Sequence, residues 1–89
     1  MTETVIYVEE VQNMTTVQIS LNSIEKVRSF VNDIARFDSD FDLVSGRYVI
    51  DAKSIMGIFS LDLSKPISLN IHADSDAEIL ETLKSYIVE

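Results

Sequence analysis

Residues 51–74 read DAKSIMGIFSLDLSKPISLNIHAD, and the change of pattern along this stretch decides the fold. Ser54 stands before the apolar run Ile55-Met56-Gly57-Ile58-Phe59. A serine oxygen accepts from the amides that a first helical turn leaves free, so the run is expected to be a helix of one or two turns. Pro66 then opens an element at the position where a missing N–H harms a strand least. From there Ile67, Leu69 and Ile71 alternate with Ser68, Asn70 and His72, the period of a strand with one buried face. A strand of a doubly covered parallel sheet would instead read as a continuous apolar run. The stretch therefore predicts an α+β domain whose sheet has one wet face.

Upstream, residues 41–52 read as two short strands joined at Ser45-Gly46, since glycine supplies the positive φ of a tight connection. Further back, Ile24, Val27, Val31 and Ile34 recur at helical spacing, with Phe30 and Ala35 widening the stripe. Asn22 or Ser23 caps this helix, Glu25 suits its positive end, and it is expected to stop near Phe37. Before it, Val17, Ile19 and Leu21 alternate with Thr16, Gln18 and Ser20 as a first strand. Downstream, Ser75 and Glu78 form a capping box for a last helix over 76–87, with Ile79, Leu80, Leu83 and Ile87 as its buried stripe. The order is βαββαβα: an open-faced sandwich of a four-stranded antiparallel sheet with helices on one face. Residues 13–89 form this domain. Residues 1–12, with Glu3, Glu9 and Glu10 around Val5-Ile6-Tyr7-Val8, are an extension whose segment 4–11 is an edge strand, a homodimer contact or a loose arm.

Composition narrows the chemistry. Eighty-nine residues, 46% hydrophobic and 25% charged, suit one globular domain. A formal charge of −8 argues against a sequence-independent grip on nucleic acid or an anionic membrane. No cysteine is present, which removes disulfides, thiolate nucleophiles and cysteine-ligated metals and suits a cytoplasmic setting. The N-terminus lacks a basic n-region and carries acids in its apolar part, so it is not expected to be a secretory signal. No run reaches the roughly 18 apolar residues of a membrane span. The single histidine, His72, excludes a histidine-cluster metal site within one chain, and no cofactor or metal is expected.

Residues 35–89 resemble the HPr family of phosphocarrier proteins. Lys53-Ser54-Ile55-Met56-Gly57, with Ser60-Leu61 after it, matches the family's segment from the third strand into a short helix. Lys65, the strand 67–72 and the final helix follow in step, and RFDSDFDLVSGR, residues 36–47, matches the family's helix end and hairpin. The resemblance implies the same open-faced βαββαβα sandwich and a place in the phosphoenolpyruvate-dependent sugar phosphotransferase system of bacteria. It implies stoichiometric carriage of phosphate and not enzymic turnover.

The family accepts phosphate on a histidine in a G-I-H-A-R-P-like loop before its first helix, and here this chain departs from it. Aligned without a gap from the matching region, the histidine position falls on Ser23 and the arginine on Glu25; registered on the first strand they fall on Lys26 and Arg28. Neither side chain replaces an imidazole in that transfer. The resemblance implies a second feature, phosphorylation of the KSIMG serine by an ATP-dependent HPr kinase, after which the protein binds a LacI-type catabolite regulator. That serine is Ser54, and the family's apolar partner surface falls on Ile55, Met56 and Phe59. A phosphate at a helix N-terminus meets free amides and adds about 1.5 to 2 negative charges.

The same residues have plainer readings. Ser54 also serves as a simple N-cap, and Ile55, Met56 and Phe59 as ordinary core. His72 falls on the polar side of the last strand, as a surface histidine or as a relocated phosphoacceptor without a basic neighbour. Asp38, Asp40 and Asp42 have the spacing that opens a calcium loop, but its sixth and twelfth positions would be Leu43 and Val49, so they read as solvated hairpin residues. The expected function is an HPr-like regulatory or interaction module, with a carrier using His72 and a self-associating structural domain as alternatives.

Overall fold

The computed structural model describes residues 14–88. The 1–12 extension and the dimer contact expected at 4–11 lie outside them. In chain order the elements are β1 Met14–Ile19, α1 Ile24–Ile34, β2 Asp40–Ser45, β3 Tyr48–Asp51, α2 Ile55–Phe59, β4 Ile67–His72, α3 Ala77–Thr82 and β5 Ile87–Val88. The strands form one antiparallel sheet in the order β3-β2-β4-β1-β5.

The register explains why alternation was legible. Leu43 lies opposite Leu69, which lies opposite Val17; Phe41 and Ile71 pair in the next row, and Ile19 pairs with Ile67. Ile19, Phe41, Leu43, Ile67, Leu69 and Ile71 are all buried, and Val27, Phe30 and Ile34 of α1 are buried in the same core with Ile58 of α2. The opposite face carries Asp42, Asn70 and Thr16 in one row and Val44, Ser68 and Gln18 in another. Its polar side chains bind one another across strands: the Thr16 hydroxyl donates to Asn70 Oδ1 at 2.7 Å, and Gln18 Nε2 donates to Ser68 Oγ at 2.6 Å. One face is dry and the other polar, the arrangement expected for an open-faced sandwich.

The hairpin turns at Gly46-Arg47, with Ser45 paired to Tyr48. Gly46 has φ +60° and, among the described residues, is the one residue in the left-handed region. Positive φ at the first of two central residues is the mark of a II′ connection.

Five expectations are corrected. Among the described residues the sheet has five strands, not four, because Ile87 and Val88 pair with Ile19 and Gln18 of β1. The last helix therefore ends at Thr82 and does not run to 87. Beyond it the amides of Lys84, Tyr86 and Ile87 each bond three residues back, tighter turns that bury Tyr86 and swing Ile87 onto the sheet. Ser75 does not cap α3; the N-cap is Asp76, and its carboxylate accepts from the Thr15 hydroxyl on β1 rather than from its own helix. In α1, Ser23 is the N-cap, but Ile24 is 61% exposed and the helix stops at Ile34, three residues short of Phe37.

Candidate functional site

Ser54 is exposed, in extended backbone, and caps α2 as its oxygen accepts from the Gly57 N–H at 3.2 Å. Gly57 has a steric reason to be glycine. A Cβ there would lie 3.3 Å from both the Ser54 oxygen and Ile50 Cδ1, so the bare backbone lets α2 sit close over β3 and leaves space around the hydroxyl.

The three apolar candidates divide. Ile58 anchors α2 in the core and Ile55 is partly buried against it, whereas Met56 is 78% exposed and Phe59 43% exposed. The reading of all three as core fails for Met56 and Phe59, which stand on the outer side of a helix too short to turn more than one stripe inward. Phe59 joins Ile24, Leu63, Asn22, Ser23 and Ser64 around a shallow cleft of about 360 Å³. The fold thus brings Ser23, which immediately precedes α1, to the same surface as the end of α2. Lys26 lies one turn into α1, its amide bonded to the Ser23 oxygen at 3.1 Å, and its side chain is exposed.

His72 is elsewhere, at the end of β4 on the polar face. Its Nε2–H donates to Asp42 Oδ2 at 2.8 Å, and it shares a cleft of about 340 Å³ with Asp40, Phe41, Asp42 and Asp51. Three carboxylates around one imidazole make an anionic surface that disfavours an incoming phosphoryl group. Among the described residues, no group of His, Asp or Glu has the arrangement of a metal site; Asp40 and Asp42 lie on β2, and Asp38 lies in the loop before it.

Two structural residues escape sequence reasoning. Lys53 does not face solvent freely: its Nζ donates to the Phe37 carbonyl at 2.7 Å and lies 5.6 Å from the centre of the Phe41 ring. It pins the loop that follows α1 to the start of α2. The only signal was a lysine next to the motif serine. Tyr86 packs edge-to-face on Phe30, centroids 5.6 Å apart, and its hydroxyl donates to Asp33 Oδ2 at 2.9 Å. Burial raises the phenol's pKa above its ordinary value; Ser29 opposes the shift and the Asp33 carboxylate adds to it. At Asp62 the hydroxyl and amide of Ser64 donate to the carboxylate and lower its pKa.

No curated protein sequence matches the chain. A family model described as the PTS HPr component phosphorylation site matches residues 25–89, well over half of its length. Among solved structures, a phosphocarrier protein HPr from Bacillus anthracis str. Ames superposes with TM-score 0.62 at 32% identity, covering 84% of this chain and 95% of that one. HPr-C-His from Thermoanaerobacter tengcongensis superposes with TM-score 0.65 at 26% identity, covering 81% and 86%. The motif at 53–57, the sheet order and these matches agree, and the chain belongs to the HPr family of the phosphotransferase system.

Proposed function

We propose that this HPr-family protein does not carry phosphate on histidine and acts as a regulatory module whose modification site is Ser54. The observation that carries the reading is the contrast between the two candidate acceptors. The Ser54 hydroxyl is exposed beside exposed Met56 and Phe59, whereas His72 is tied to Asp42 within a ring of carboxylates. Ser23, directly before α1, supports the gap-free register in which the family's histidine is replaced by serine.

In the proposed step an ATP-dependent HPr kinase transfers the γ-phosphoryl group to Ser54 Oγ; the hydroxyl proton is lost and ADP leaves. The product keeps α2 in place, because the new anion sits by the amide of Gly57. A LacI-type catabolite regulator then reads the phosphate together with Met56, Phe59 and the part-buried Ile55. The setting is the bacterial cytoplasm, where the phosphotransferase system works, and the protein's part in it is stoichiometric.

The test incubates the chain with ATP and an HPr kinase, and in parallel with phosphoenolpyruvate and the first enzyme of the phosphotransferase system. One phosphate at Ser54 by mass spectrometry, none in Ser54→Ala and none from phosphoenolpyruvate are expected. An acid-labile adduct on His72, or an unmodified Ser54, would overturn the proposal.

A further inference from the structure

The outer edge of β3 carries the two most exposed large apolar residues of the sheet, Tyr48 at 69% and Val49 at 64%. Among the described residues β3 is the last strand on its side of the sheet, so half of its backbone groups face outward. Which half follows from the ladder: the Ala52 amide bonds inward to the Phe41 carbonyl at 2.9 Å, so by alternation Ile50 and Tyr48 also bond inward while Val49 and Asp51 turn outward. The Asp51 carbonyl is already used by the Ser54 amide at 3.0 Å, which leaves the Val49 N–H and C=O and the Asp51 N–H on offer.

We propose that this edge pairs with the same edge of a second copy, antiparallel, about a twofold axis at Val49. That register places Val49 opposite Val49 of the other copy, Tyr48 opposite its Ile50, and Arg47 opposite its Asp51. The charges select it. A shift of two positions sets Arg47 against Val49 in one direction and against Lys53 in the other, while only the centred register matches both Arg47–Asp51 pairs. The direct cross-strand partner of Asp51 is Asp42, a like charge on the same polar face, and the Asp51 carboxylate, which accepts from the Lys53 amide at 2.9 Å, has no cation opposite it in the ladder. Arg47 of the second copy completes that row with the missing positive charge. The interface is isologous and closes on itself, giving a continuous sheet through two chains. The strands are short and each chain carries −8, so association is weak.

Sedimentation equilibrium of the full-length chain, over micromolar to millimolar concentration in salt of about 0.15 M, tests the proposal. The average mass is expected to climb toward that of two chains. Arg47→Asp and Asp51→Arg should each weaken association at least about tenfold, and their equimolar mixture should restore it, because both pairs are then complementary. A monomer at every concentration overturns the proposal. So does association that survives Arg47→Asp, including association lost instead on deleting residues 1–11. A mixture no tighter than Arg47→Asp alone also overturns it, provided Asp51→Arg melts as cooperatively as the parent chain.

Discussion

At the scale of single residues, Ser54 combines two roles that substitution separates. Ser54→Ala removes the cap and the acceptor together, and thermal or urea unfolding should show a loss of about 1 kcal/mol. Ser54→Asp keeps a capping oxygen, so its stability should stay within about 0.5 kcal/mol of the parent while kinase modification is abolished equally. Tyr86 gives a pH signature. Its pKa is raised in the folded state, so the contribution is complete below the ordinary tyrosine value of about 10 and is lost as pH rises through the folded value. Tyr86→Phe should cost about 1 kcal/mol at neutral pH. In urea titrations the gap between the two proteins should narrow in alkali. The Ser54 cap was legible because a cap is local; the roles of Lys53 and Tyr86 were not, since their partners lie 16 and 53 positions away.

At the scale of elements, periodicity worked where it had length to act. β1, β4 and the 41–52 hairpin each offered several alternating residues, and all were found. β5 has two residues, too few for any period, and Ile79, Leu83 and Ile87 fit a helical stripe equally well because the turns after Thr82 return the chain to the same core. The surface positions of Met56 and Phe59 were expected from the family resemblance and not from the pattern: an unbroken apolar run does not say which side of one helical turn faces in. Lys53→Met tests the tie between α1 and α2. It preserves the apolar stem but removes the charged donor to Phe37, and chemical unfolding should register a loss of about 1 to 3 kcal/mol. Gly46→Ala meets no atom within 4 Å, so its cost, about 1 to 2 kcal/mol by the same measurement, would be purely that of left-handed backbone.

For the whole molecule, charge is the dominant global term. Fifteen acids face seven Lys and Arg, and among the described residues the one contact of a basic with an acidic side chain is the His72–Asp42 hydrogen bond. The folded chain thus holds its acids close with little local compensation. Raising salt from about 0.01 to 0.2 M should increase the melting temperature through screening. A protein with balanced surface pairs would instead be insensitive or lose stability.

The sheet order has a last consequence, for synthesis. The strand that both β1 and β2 require, β4, is encoded at Ile67–His72, after β1, β2, β3 and the first two helices. A nascent chain that has emerged only as far as α2 owns a lone hairpin and two helices with nothing to cover, and a lone hairpin is marginal in water. The domain therefore emerges almost whole before any of it becomes durable, and vectorial folding from β1 onward has no stable stopping point. Each newly made copy passes through a stage in which Val17, Ile19, Phe41 and Leu43 all await the same late strand.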